Sequence, residues 1–133
     1  MPSMANITVK KADTTTDIVY SMLTPSAGDN VPAQWRSETA STQNNGKPLA
    51  SLTSKWNGDR SARRLNFEFR YPQVVTDTTT GLVSVVNYVP ITFSAALPQG
   101  VPDVIAAEAI AQSINLLKST LVQQALVAGF APT

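Results

Sequence analysis

The chain has 133 residues, a net charge of +1, and neither cysteine nor histidine. Its length allows one hydrophobic core and not two, and 43% hydrophobic residues place it among globular chains. The missing side chains exclude disulfides, thiolate zinc sites, cysteine nucleophiles and histidine acid–base catalysis.

Ile7 to Lys10 alternates apolar and polar residues, as a half-buried strand does. Lys11-Ala12-Asp13 reads as a hairpin turn into a β-branched and aromatic strand, Thr15 to Leu23. Thr24 to Asn30 is a breaker cluster. Ala33 to Thr39, centred on Trp35, is a short strand, and Gln43 to Pro48 is a turn in which Asn45-Gly46 favours positive φ.

Leu49 to Asn57 and Arg64 to Tyr71 form the next pair, joined by the Asn57-Gly58-Asp59 turn. Side chains alternate across a strand. Ala50, Leu52 and Trp56 therefore share one parity, and Ser51, Thr53, Lys55 and Asn57 the other. Leu65, Phe67, Phe69 and Tyr71 lie opposite Arg64, Asn66, Glu68 and Arg70. Pro72 lacks a ladder donor and is expected to end its strand. Thr76 to Gly81 is a polar loop, and Leu82 to Leu97 a further strand. In that strand Val89, Ile91, Phe93 and Ala95 face one way, and Tyr88, Pro90, Thr92 and Ser94 the other. Pro90 marks an edge or a bulge there.

Beyond Gly100 the period changes. Pro102 suits a first helical turn, with Asp103 at the positive end of the helix dipole. Ile110, Ile114, Leu117 and Leu121 recur at helical spacing, Lys118 to Thr120 is a bend, and Gly129 is a C-terminal stop. These elements predict an α+β domain in which strands precede two helices. The helical segment is apolar nearly all round, so it must be buried on more than one side. Either it lies deep in a monomeric core, or Ile110, Ile114, Leu117 and Leu121 pack on a second copy of the chain.

Six basic residues fall between Lys47 and Arg70 against two acidic ones, Asp59 and Glu68, so the near-neutral total conceals a basic segment. Lys55, Arg64 and Arg70 share a parity face with Ser51, Thr53, Asn57 and Asn66, and Tyr88 and Thr92 share a face of another strand. Such groups neutralise phosphates, hydrogen-bond sugars or base edges, and stack unpaired bases. A solvated strand face would carry the same charges. Asp59 and Glu68 read as a turn residue and an arginine partner, not as a catalytic pair. No phosphate-binding glycine motif or metal-ligand cluster stands out, and no apolar run suits a membrane span or a secretory leader. No enzyme, cofactor, metal or small-molecule substrate is expected.

Three stretches, in this order, resemble the coat proteins of single-stranded RNA bacteriophages of the levivirus type. They are Pro32 to Ser37 around Trp35, Arg63 to Val74 with its alternating strand, and Ile114 to Lys118 before the helix bend. The resemblance implies a single domain over residues 1–133, with an N-terminal hairpin to about residue 24, a sheet over 31–97 and helices over 102–130. It also implies an interlocked dimer with a continuous sheet, whose helices cross onto the partner. Such dimers build an icosahedral shell in the bacterial host cytoplasm, and the protein ends in the virion. The interior sheet face binds single-stranded RNA and in several members a stem-loop, which represses translation. Ser51, Thr53, Lys55, Arg64, Asn66, Glu68 and Tyr88 fall where that family places RNA-facing residues, with Glu68 where a lysine is common. Pro90 and Thr92 replace polar groups that some members use. The loop Val75 to Leu82 corresponds to the one that surrounds symmetry axes. A small dimeric RNA-binding regulator without a shell is the alternative.

Overall fold

The computed structural model describes residues 2–133; Met1, the first residue of the expected hairpin region, lies outside them. Six strands follow in sequence order across one antiparallel sheet. They are β1 (Ile7–Lys10), β2 (Asp17–Thr24), β3 (Ala33–Arg36), β4 (Leu49–Trp56), β5 (Ala62–Thr76) and β6 (Val83–Pro98). Two helices follow, α1 (Asp103–Lys118) and α2 (Thr120–Ala128). The strands-then-helices order read from the periodicity is thus observed. The chain divides into two compact units, one up to Ala96 and the other Leu97–Thr133.

Asp13 closes the first hairpin. Its carboxylate accepts from the backbone N–H groups of Thr15 and Thr16 and from the Thr16 hydroxyl, while Thr14 takes a positive φ of 62°. The turn therefore runs to Thr16, three residues beyond its expected end. Asn6 and Trp35 tie the N-terminal segment to the sheet: the Met22 N–H donates to Asn6 Oδ1, and Trp35 Nε1 donates to the Ala5 carbonyl. Between Met22 and Thr24 the β2–β3 register slips by a bulge.

The strand β3 stops at Arg36, short of the expected Thr39. Beyond it the Ser37 N–H still donates to the Pro48 carbonyl at 3.2 Å, and side chains hold the rest. Glu38 accepts from Arg36 Nε at 2.9 Å and from Lys47 Nζ at 2.7 Å, and these two cations hold its carboxyl below the usual range, Lys47 contributing most. The Gln43–Pro48 turn contains a short 3₁₀ helix, Asn44–Gly46. Gly46 does not take the positive φ expected of Asn-Gly. Glycine is required there for close approach: a Cβ would stand 2.7 Å from Ser41 Oγ and 3.1 Å from Val74 Cγ2.

The strand β5 runs through Pro72, which was expected to end it. The β4 ladder reaches its last pair at Leu49 and Arg70, so no β4 acceptor waits for the missing Pro72 N–H. Pro72 is buried there. The β5–β6 loop is closed by Asp77: its N–H donates to the Leu82 carbonyl at 2.8 Å, and its side chain accepts from the Thr79 and Thr80 N–H groups. Those bonds hold the Asp77 carboxyl below its ordinary range, the Thr79 backbone contributing most.

In the second unit Pro102 precedes α1 instead of starting it. Its backbone is extended and its carbonyl accepts from Ile105 and Ala106. Ser119, extended at ψ 148°, is the single-residue break between the helices. Gly129 ends α2 at φ 78° with its N–H on the Ala125 carbonyl, as a left-handed C-terminal stop requires.

Candidate nucleic-acid interface

The β4–β5 register fixes which side chains stand together. Ser51 pairs with Glu68, Thr53 with Asn66, Lys55 with Arg64, and Leu49 with Arg70. Directly paired residues share a sheet face. Seven of the expected residues, Ser51, Thr53, Lys55, Arg64, Asn66, Glu68 and Arg70, therefore form one contiguous two-strand band. The intervening pairs, Ala50 with Phe69, Leu52 with Phe67 and Ser54 with Leu65, point to the other face.

The neighbouring strand β6 brings Tyr88 to this band. The Arg70 guanidinium lies over its ring, 4.7 Å from the centroid, a cation–π arrangement that holds both planar groups in place. Thr92 enters from β6 as well. With Pro90, Ile91, Leu49, Ser51, Glu68, Phe69 and Arg70 it lines a groove of about 240 Å³.

Asn57 does not join the band as a free group. Its Nδ2 donates to Ser61 Oγ at 2.9 Å and its Oδ1 accepts the Ala62 N–H, so it locks the β4–β5 turn. Asp59 belongs to the same turn, where its carboxylate accepts from the Ser61 hydroxyl and N–H; these bonds lower its pKa, the hydroxyl contributing most. This places Asp59 as a turn residue and leaves Glu68 without an arginine partner, contrary to the pairing expected for it: Glu68 makes no salt bridge among the described residues.

The basic segment divides four ways. Lys47 is spent on Glu38. Arg63 donates both Nη atoms to Asp29, at 3.0 and 2.8 Å, and lies 4.8 Å above Trp56. Lys55, Arg64 and Arg70 make no salt bridge among the described residues, and all three are exposed. Arg60, the sixth, is exposed in the β4–β5 turn at a positive φ of 57° and also makes no salt bridge among the described residues; Lys55, Arg64 and Arg70 are the free charges on the strand face.

Two residues of this face were missed. Gln34 pairs with Ser51, and Arg36 with Leu49, so the polar face continues onto β3. The signal was present: Trp35 is apolar, and its two neighbours must face the other way.

On the opposite face, Ile7, Val9, Tyr20, Trp35, Ala50, Phe67 and Phe69 line an apolar groove of about 350 Å³. Tyr20 and Phe69 meet edge-to-face with centroids 6.0 Å apart. Burial raises the Tyr20 pKa, with a smaller contribution from Tyr71. Tyr20 and Ala50 are buried on this face.

Solved structures share this architecture. The fold is that of the levi-like phage coat proteins. A virus-like particle of bacteriophage NT-214 matches with a TM-score of 0.82 and 18% identity, over 99% of this chain and 100% of that one. The bacteriophage EMS014 coat protein gives 0.80 and 17%, over 99% and 100%. A virus-like particle of Beihai levi-like virus 21 gives 0.81 and 14%, over 99% and 98%. No family model matches the chain, and no curated protein matches it. The likeness to the levi-like coat fold thus spans nearly every residue while few side chains are shared.

Proposed function

We propose that this chain is a capsid subunit that dimerises, assembles into an icosahedral shell and packages single-stranded RNA against its basic sheet face. The observation that carries the reading is the alternation of β4 and β5, which puts cations without a salt bridge among the described residues on one face and an open apolar groove on the other. A single sheet with one basic and one apolar face needs two partners of different chemistry. RNA suits the first, because phosphate neutralisation needs only accessible cations and hydroxyls.

A second copy of the chain suits the other. Neither α1 nor α2 contains a buried residue, and Ile114 and Leu121 are 53% and 61% exposed. Ile110 and Leu117 are also exposed, so all four expected interface residues remain available to a partner. Another copy provides both helices and an apolar sheet face, in equal number. The edge of the sheet supports the same reading: β6 is 16 residues long and ends the strand order. A long unpaired edge is a template for another strand, and a second β6 would make the sheet continuous. The virus-like particles that share the fold add weight to shell assembly. A bound stem-loop would add translational repression to the same face.

The test is size-exclusion chromatography of the recombinant chain, followed by negative-stain microscopy and nuclease treatment. The expected result is large closed particles with protected RNA. A discrete dimer at high concentration, with RNA added, would replace the capsid reading with that of a small RNA-binding regulator.

A further inference from the structure

We infer that the groove between Ser51, Glu68, Arg70 and Thr92 reads an unpaired guanine of single-stranded RNA, with Glu68 as the selecting group. The inference rests on the RNA reading above and names the base that this face selects. The starting observation is an anomaly of charge. Glu68 is the one acid in the β4–β5 band, beside three free cations, yet it pairs with none of them among the described residues. A carboxylate there opposes phosphate binding, so charge neutralisation does not account for it. An ionised carboxylate only accepts hydrogen bonds. Its partner must therefore bring N–H or O–H donors, and an RNA brings them on the edges of its bases.

The four bases differ on this point. The Watson–Crick edge of guanine presents two adjacent donors, N1–H and N2–H, spaced to meet the two oxygens of one carboxylate. Adenine and cytosine each present one donor beside a ring-nitrogen lone pair. Uracil presents one donor between two carbonyl oxygens. Against a carboxylate those lone pairs repel, and only guanine makes two hydrogen bonds without a clash. The remaining group on its edge, O6, needs a donor. The groove supplies three, in the Arg70 guanidinium and the Ser51 and Thr92 hydroxyls. Pro90 and Ile91 provide apolar surface for the ring, and the Tyr88 ring, 4.7 Å from the guanidinium, holds Arg70 beside it.

The test uses the full-length chain below the concentration at which light scattering detects particles. Fluorescence anisotropy is measured with four labelled oligouridines that carry a single central guanine, inosine, adenine or cytosine. The guanine oligonucleotide is expected to bind roughly five- to 150-fold tighter than the adenine or cytosine one, the range of a bidentate base contact. Inosine, which lacks N2–H, should fall between. In Glu68→Gln one acceptor becomes a donor, matching the donor–acceptor edge of adenine, so guanine should lose its advantage and adenine gain. Wild-type affinities within twofold of one another would overturn the guanine assignment while leaving RNA binding in place. So would an unchanged guanine preference in Glu68→Gln. Failure to bind any of the four would overturn both this assignment and the RNA reading beneath it. The four-base comparison needs no variant, so equal affinities overturn the inference even if Glu68→Gln does not fold.

Discussion

The two faces of the β4–β5 ribbon are made by the same sixteen paired residues and behave as different materials. On one, Phe67 and Phe69 stand over Leu52 and Ala50 and line an apolar groove shared with Tyr20 and Trp35. On the other, Lys55 faces Arg64, a like-charged pair directly across the ladder. Opposed like charges destabilise a sheet, so that pair is retained at a cost to the isolated fold. The apolar face packs the strands together, and the polar face carries cations that make no salt bridge among the described residues.

Two substitutions break this comparison from its opposite sides. The largest effect on stability is expected from Phe69→Ala, which removes the ring that meets Tyr20 at 6.0 Å and covers Ala50. A fully buried phenylalanine costs about 3–5 kcal/mol on truncation; this ring is only partly buried in the chain, so about 2–3 kcal/mol is expected. The urea midpoint of the assembled protein measures it, and an unchanged midpoint would show that the groove contributes nothing. On the other face, the double variant Lys55→Glu, Arg64→Glu should leave the midpoint nearly unmoved and lower the RNA content of particles. If each cation meets one phosphate, the slope of log affinity against log salt should fall by about 1.4, at roughly 0.7 per single-strand phosphate. Unchanged RNA content would remove these residues from the interface.

This separation was readable in the residues because parity is a local property. Leu65, Phe67 and Phe69 alternate with Arg64, Asn66 and Glu68 whatever the rest of the chain does, so which residues share the polar face could be read from their order alone. What parity could not reveal was which side chains were already engaged. Asn57 has the correct parity, but its amide closes its own turn. Lys47 and Arg63 contribute to the basic segment, but their partners, Glu38 and Asp29, lie 9 and 34 residues away. Pro72 misled for a related reason: a missing donor ends a strand only where a neighbour needs it, and the neighbour had already ended. The unpaired state of Glu68 was hidden in the same way, because an acid among arginines reads as their partner.

A smaller effect is expected at Gly46, which adjoins the ribbon without belonging to either face. Gly46→Ala places a methyl group 2.7 Å from Ser41 Oγ and 3.1 Å from Val74 Cγ2, on β5. Overpacking of this kind costs about 1–3 kcal/mol. The hydroxyl of Ser41 can rotate aside but the Val74 methyl is held by its strand, so the urea midpoint should fall less than in Phe69→Ala. RNA content should be unaffected, which separates packing damage from loss of charge. A Gly46→Ala protein as stable as the parent would mean that the 3₁₀ turn moves freely away from β5.

The smallest effect concerns acid, and it acts outside both faces. Asp13 has its pKa lowered from 3.8 to about 2, chiefly by the Thr16 hydroxyl and then by the Thr16 and Thr15 N–H groups. Asp59 and Asp77 are lowered by their own turns, and Glu38 by Lys47 and Arg36. A carboxylate whose folded pKa lies below its unfolded value binds protons more readily when unfolded. Its contribution is therefore complete above the unfolded pKa and disappears as pH falls through the folded one. For Asp13 that window runs from about 4 down to about 2, and all four groups act in the same direction. Acidification should thus loosen the hairpin and loop turns that these carboxylates close. Asp13→Asn should remove its share of the pH dependence without changing RNA binding at neutral pH. Thermal melts of the two proteins between pH 5 and pH 2 test this. Their melting temperatures should converge towards the acid end, and a constant difference across the window would show that the Asp13 turn does not couple to folding.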